Sequence, residues 1–309
     1  MLVRMARFAL PPLARPRAAV AREGPVDLVE LSGGAPPVEA PVIGGVSMPE
    51  WACRPLDFAW NCPADEFARR ADKAVAGLLS GEPVERLKLG ENFTNTVYLV
   101  RLDNGLAAIW KPESGEYGRR LRTNIPPQQE ARREAMGYLI DAAMGHLARV
   151  PPLVRRQLNG SWGTLQLFVP ATKPGEPFEG SPRYQDVAVF DHTVGNLDRH
   201  DHNWLQDEAG NIIPIDHGLI LPEQNAAQGA HNFVLCEPVE LEPRQRQALE
   251  KLKQSLPALG ERARELGLAQ ESLTAMQERL DLMLLTGRTS NGWRGGNQFP
   301  TNYQAGLNF

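Results

Sequence analysis

Two Asn-Gly steps, Asn104-Gly105 and Asn159-Gly160, each set between β-prone runs, commit the first half of this 309-residue chain to antiparallel hairpins. Asn and Gly tolerate the positive φ that tight turns demand. Thr96-Val-Tyr-Leu-Val-Arg101 leads into the first turn, and Leu106–Trp110 returns from it, ending at Lys111-Pro112. Leu153–Leu158 and Gly163–Val169 flank the second turn and close at Pro170. Between the hairpins, Gln128–His146 has a helical period, with Ala131, Ala135, Leu139 and Ala142/Ala143 near one face and charges on the other. Further on, Tyr184–Val194 predicts a helix and Asn211–Ile215 a short apolar strand. Glu242–Leu256, Leu259–Leu266 and Gln270–Leu285 predict three separate amphipathic helices. Strands in front and helices behind describe an α+β chain in two lobes.

Bulk properties narrow the function classes. Hydrophobic residues make up 42% of the chain, enough for a sizeable core. A net charge of −4 offers no electrostatic footprint for nucleic acid. No run approaches the roughly 18 apolar residues of a membrane span, so stable membrane insertion is not expected. Three scattered cysteines, Cys53, Cys62 and Cys236, fit a reducing compartment and predict a cytoplasmic protein.

Residues 1–50 are rich in Pro, Gly and Ala and predict a disordered leader, whose first 22 residues carry five arginines and no acid. An accessory segment follows over 51–86, with aromatic residues and a short helix around Ala64–Leu79. The expected division then runs 87–170 for a β-rich lobe and hinge, 171–290 for a helical lobe, and 291–309 for a tail.

The chemistry is concentrated in Asp198-Arg-His-Asp-His-Asn203 and Asp216-His-Gly218. Phosphoryl transfer needs a positioned hydroxyl, a metal between phosphate oxygens, and cationic neutralisation of the transferred group. An Asp followed five positions later by Asn supplies a base and a metal-binding amide oxygen, the separation of Asp198 and Asn203. Asp216, at a strand end, supplies the second metal contact. Magnesium, or manganese in its place, suits so sparse an oxygen set. Lys111 closes a strand and reaches for the α/β-phosphates of ATP, with Glu134, or Glu130 one turn earlier, as its partner. The chain order Lys, Glu, Asp–Asn, Asp is the order kinases use.

These residues resemble the phosphatidylinositol 3/4-kinase superfamily, and the type II phosphatidylinositol 4-kinases in particular. Asp198-Arg-His200-x-x-Asn203 with Asp216-x-Gly218 looks like the catalytic core. Ile109-Trp-Lys-Pro112 with Gly115-Glu-Tyr-Gly118 resembles the nucleotide-lysine strand, and Glu134-Ala-Met-Gly-Tyr-Leu-Ile-Asp141 the first helix. Gln166-Leu-Phe168-Val169 resembles the hinge that meets adenine. The resemblance implies a bilobal protein-kinase-like fold, with His200 orienting the catalytic loop. His200 paired with His202 on zinc is the other reading of that histidine, and Arg199 reads either as a structural charge partner or as a phosphate clamp.

Two departures shape the expected substrate. The phosphate loop holds only Gly90, so Thr94, Asn95 and backbone amides take over the cradling. No Lys or Arg stands between Arg199 and Arg244, a stretch that includes the substrate-reading loop, typically basic in phosphoinositide kinases. The expected acceptor is therefore a hydroxyl of a protein, peptide or small molecule. A phosphatidylinositol 4-kinase, a nucleotide-binding pseudokinase scaffold, and a metal-dependent phosphohydrolase using His200-Asp201 are the rivals.

Overall fold

The computed structural model describes residues 42–43, 46–52, 58–90, 94–118, 124–170, 173–174, 182–200, 202–207, 210–225 and 240–289. The tail expected over 291–309, Cys53, Cys236, Asp201 and most of the leader lie outside them. So does the stretch 226–239 of the loop expected to read substrate.

Both Asn-Gly turns form as the sequence predicts. Five strands, β3 (Pro83–Leu89), β4 (Val97–Leu102), β5 (Ala107–Pro112), β6 (Leu153–Leu158) and β7 (Ser161–Leu167), make one antiparallel sheet in the order β3-β4-β5-β7-β6. A small hairpin of β1 (Val42–Ile43) and β2 (Val46–Ser47) precedes it. At the second turn Asn159 and Gly160 have φ of 50° and 81°, the pair a two-residue hairpin needs. Pro83–Leu89 is a strand whose start the sequence did not reveal. It is the sheet's edge, and its exposed Glu85, Arg86 and Lys88 blur the alternation while protecting the edge from other chains.

Strand alternation gives the sheet two chemically distinct faces. Val100, Leu102, Ala108, Trp110, Leu165 and Leu167 enter the main core, against helices α1 (Ala64–Ser80) and α2 (Glu130–Ala143). Leu99, Ile109 and Lys111 point the other way. In α1, Phe67, Ala71, Ala74, Val75 and Leu78 form the buried stripe, while Asp65 and Glu66 complement the positive end of the helix. Trp110 and Phe168 are buried, and so is Trp204 of the second lobe; all three are packing residues.

The second lobe contains α3 (Pro182–Val194), α4 (Pro243–Glu265), α5 (Gln270–Thr286) and a small sheet ordered β10-β9-β8. Its strands are β8 (Lys173–Pro174), β9 (Trp204–Gln206) and β10 (Ile212–Pro214). One expectation needs correction. Glu242–Leu256 and Leu259–Leu266 are not separate helices, because α4 runs through Pro257. An internal proline costs about 3 kcal/mol. Leu249, Leu252 and Leu259 are wholly buried along one stripe, at about 1.5–3 kcal/mol each, which outweighs it. The charged side of α2 is not solvated: Glu130, Arg133, Glu134 and Asp141 are all buried. Arg133 donates to the carbonyls of Ile220 and Leu221, while Asp141 accepts from the backbone of Ala148 and Val150 at 2.8 and 2.9 Å. That face binds loops instead of water. Among the described residues no helix is long and apolar enough to cross a membrane.

Candidate active site

The Lys111 side chain leaves the end of β5 on the face away from the main core and meets two carboxylates. Its Nζ donates to Glu134 Oε1 at 2.8 Å and lies 3.3 Å from Asp216 Oδ1. Thr164, opposite Lys111 on β7, donates to the second oxygen of Glu134 at 3.1 Å. Of Glu130 and Glu134, the one in contact with Lys111 is Glu134. Burial would favour the neutral amine, but Asp216 and Glu134 outweigh it and hold Lys111 charged. Lys111 in turn lowers the pKa of the Asp216 carboxyl and favours its ionised form.

Asp216 stands at φ 56°, in a left-handed conformation that costs an L-residue roughly 1–2 kcal/mol and that Asp tolerates better than most. Strain of this kind is kept where the surroundings dictate a conformation. Here the surroundings are close packing between α2 and the Asp216-His-Gly218 turn. A Cβ on Gly218 would lie 2.9 Å from Glu130 Cβ, and one on Gly137 would lie 3.0 Å from Ile220 and 3.2 Å from His217. Only glycine lets the helix and the turn approach so closely.

Asp198 and Asn203 lie on the loop between α3 and β9. Asn203 Nδ2 donates to the Asp198 carbonyl at 2.7 Å and lies 3.5 Å from Asp198 Oδ2, an arrangement that turns the amide oxygen away from Asp198. The β9–β10 ladder brings the loop to Asp216. Just beyond its last pair, Ile215 N donates to Asn203 O at 3.0 Å.

Arg199 holds this junction together. It is fully buried and makes a two-pronged ion pair with Asp191 at 2.8 and 3.0 Å. It also donates to the carbonyls of Asn203 and Ile215 and to His217 Nε2. Arginine only donates, so His217 Nε2 accepts and the ring is neutral; burial and the Arg199 charge push its pKa well below the ordinary value. Asn196 completes the frame, donating to Asp191 and accepting from Asp198 N. Of the two sequence readings of Arg199, the structural one holds. His200 is part-exposed, with Nε2 3.8 Å from Asp198 Oδ2 and Nδ1 accepting from His202 N. Asp191, Asn196 and His217 lack a distinctive spacing, and sequence reasoning passed over all three.

A cavity of about 10 Å³, room for one water, opens beside Lys111. Asn95, Glu116, Glu130, Glu134, Asp216 and Gly218 line it. Asn95 Oδ1 accepts from Tyr117 N at 2.7 Å, and the Glu116 carboxylate caps α2 by accepting from Glu130 N and Ala131 N. Glu130 Oε2 is buried with no hydrogen-bond partner. Among the described residues no three His, Cys, Asp or Glu side chains are grouped to hold a metal unaided. An oxygen set of this kind fits a hard cation that takes its remaining ligands from phosphate and water.

Of the other residues expected to meet nucleotide, Gly90 has φ 23° and Thr94 is exposed. Gln166 sits within the ladder, opposite Ile109 and Leu153. Phe168 N donates to Ala107 O at 3.0 Å, and the buried Val169 follows as the chain leaves the sheet.

Burial, then the neighbouring Glu116, pushes the Glu130 carboxyl up to about 8, from an ordinary value of 4.5. Between those values the unfolded chain has released this proton and the folded protein keeps it, so the group lowers stability as pH climbs through that window. Glu130→Gln removes the dependence. Melting curves of the two proteins are expected to diverge from about pH 5 to about pH 8, with the variant increasingly the more stable. Parallel curves would show that Glu130 does not titrate there.

The family model "Phosphatidylinositol 3- and 4-kinase" matches residues 183–276, which include Asp198, Asn203 and Asp216. A search of curated proteins finds no match. Among solved structures, the crystal structure of the Golgi casein kinase with Mn/ADP bound is similar at 15% identity and a TM-score of 0.45, over 70% of this chain and 75% of that chain. Another crystal structure of the Golgi casein kinase is similar at 13% identity and a TM-score of 0.41, over the same shares. The chain is thus an α+β protein with a β-rich and a helical lobe, similar across residues 183–276 to the phosphatidylinositol 3- and 4-kinase family.

Proposed function

We propose that the protein is an ATP-dependent phosphotransferase that moves the γ-phosphate to a hydroxyl of a protein, peptide or small molecule. The observation that carries this reading is the convergence of Lys111, Glu134 and Asp216 within 3.3 Å at the cleft. Lys111 holds the α/β-phosphates, braced by Glu134. Asp198 orients the acceptor hydroxyl and takes its proton, while Asn203 keeps the aspartate in place. Asn203 and Asp216 hold magnesium or manganese, which neutralises charge on the phosphates when bound. Gly90, Thr94 and Asn95 close over the phosphates, and the backbone around Gln166, Phe168 and Val169 meets the base. His200 positions Asp198. The reading goes with a reducing, cytoplasmic setting.

The missing cations between Arg199 and Arg244 speak against an anionic lipid acceptor, whereas the family match favours one. Incubation of the purified protein with ATP and magnesium, beside phosphatidylinositol vesicles and a mixture of hydroxyl-bearing peptides, separates the two by mass spectrometry. Phosphate on peptide or on the protein itself is expected. Robust phosphorylation of the vesicles would overturn the acceptor, and transfer of AMP would overturn the reaction.

A further inference from the structure

The face of the sheet that carries Lys111 is apolar along most of its length. Strand register places Leu89 opposite Val97, Leu87 opposite Leu99, and Leu99 opposite Ile109, one alternation back from Lys111. Gln166 lies opposite Ile109, and Phe168 is tied to Ala107 where the chain leaves the sheet. If phosphates meet Lys111, a nucleotide base would lie against this apolar half of the face.

That half is already covered. Leu89, Val97, Leu99, Ala107 and Phe168 form one buried cluster with Met48 and Ala52, and Val46 and Trp51 pack on it. Met48 is 3% exposed and Leu99 is wholly buried. Among the described residues, the members of this cluster outside the sheet and its exit come only from Val46–Ala52. The segment is fastened at its far end, where Trp51 Nε1 donates to Glu85 at 3.1 Å and the Arg101 guanidinium lies 6.0 Å from the Trp51 ring. The lining of the cavity beside Lys111 matches this cover: it includes Asn95, Glu116, Glu134 and Asp216 but neither Leu89 nor Ile109. The buried Gln166 amide nitrogen, on the covered face, has no hydrogen-bond partner.

We propose that Val46–Ala52 is an internal plug that competes with the nucleotide base for the apolar half of the cleft, so that full nucleotide binding requires the segment to lift away. This rests on the kinase reading above. Contacts of this kind are reversible: the Trp51–Glu85 hydrogen bond is solvent-exposed, and the apolar side chains of Val46, Met48, Trp51 and Ala52 lie on the sheet and, among the described residues, are not enclosed by a second layer of strand or helix in the cluster. A protein whose open state is a minor population shows an affinity reduced by that fraction, and loosening the plug restores it.

The full-length double variant Met48→Asp/Trp51→Ala tests the proposal, since a carboxylate is not retained on the apolar face. Titration calorimetry with manganese and ADP is expected to show about tenfold tighter binding than in the wild type. In the wild type, hydrogen exchange across residues 46–52 is expected to speed up on saturation with manganese and ADP. That second measurement decides the matter even if the variant does not fold. Equal affinity, with the segment equally protected in both states, would make Val46–Ala52 a fixed part of the lobe and end the proposal, leaving the kinase reading intact. Absence of ADP binding in both proteins would end both.

Discussion

Replacing Asp216 with alanine is expected to abolish metal-dependent ATP turnover, by about 10³-fold or more, while the protein remains folded. The side chain is 51% exposed and pairs with Lys111 at the cleft, so its loss opens no core cavity. Two costs must be separated. Alanine at φ 56° is strained by roughly 1–2 kcal/mol, which lowers stability without bearing on chemistry. Asparagine tolerates that conformation and keeps the shape, so Asp216→Asn isolates the charge. Both variants are expected to lose turnover, and only the alanine variant to lose measurable stability. Turnover unchanged in Asp216→Asn would remove Asp216 from the chemistry.

Truncating Arg199 is expected to be the most destabilising single change near the site. Arg199→Ala leaves the Asp191 carboxylate buried and unpaired and strips a donor from two carbonyls and from His217. Removing one partner of a buried pair costs about 3–5 kcal/mol. Total stabilities are about 5–15 kcal/mol, so this loss is a large share of the whole. Lysine cannot reproduce the two-pronged geometry, and Arg199→Lys is expected to recover only part of the loss. Chemical denaturation of the three proteins measures this. A stable Arg199→Lys protein that has lost only nucleotide affinity would point instead to a phosphate clamp.

Where local chemistry decides a conformation, the sequence was readable. Asn104-Gly105 and Asn159-Gly160 announced their hairpins, and Lys111, Glu134 and Asp216 were legible because each occupies a fixed place in an ordered set. Features decided by distant packing were not. Pro257 looked like a helix end, because the burial of Leu249, Leu252 and Leu259 that carries α4 through it is a tertiary effect. What buries the charged face of α2 was not legible either, because the carbonyls that Arg133 serves lie 87 and 88 residues further on. Arg199 was ambiguous for the same reason, its partner Asp191 being just another acid until the loop is folded. Pro83–Leu89 escaped notice because an edge strand keeps only half of the usual apolar pattern.

The phosphotransferase reading stands or falls on Lys111 and Asp216, 3.3 Å apart, jointly holding one metal–nucleotide complex. Electron paramagnetic resonance of free manganese, titrated with protein in the presence and absence of ADP, tests it without recourse to activity. ADP-dependent depletion of free manganese by the wild type is expected, weakened by about tenfold or more in both Lys111→Ala and Asp216→Asn. Depletion that is the same in all three proteins, or that does not depend on ADP, would contradict it.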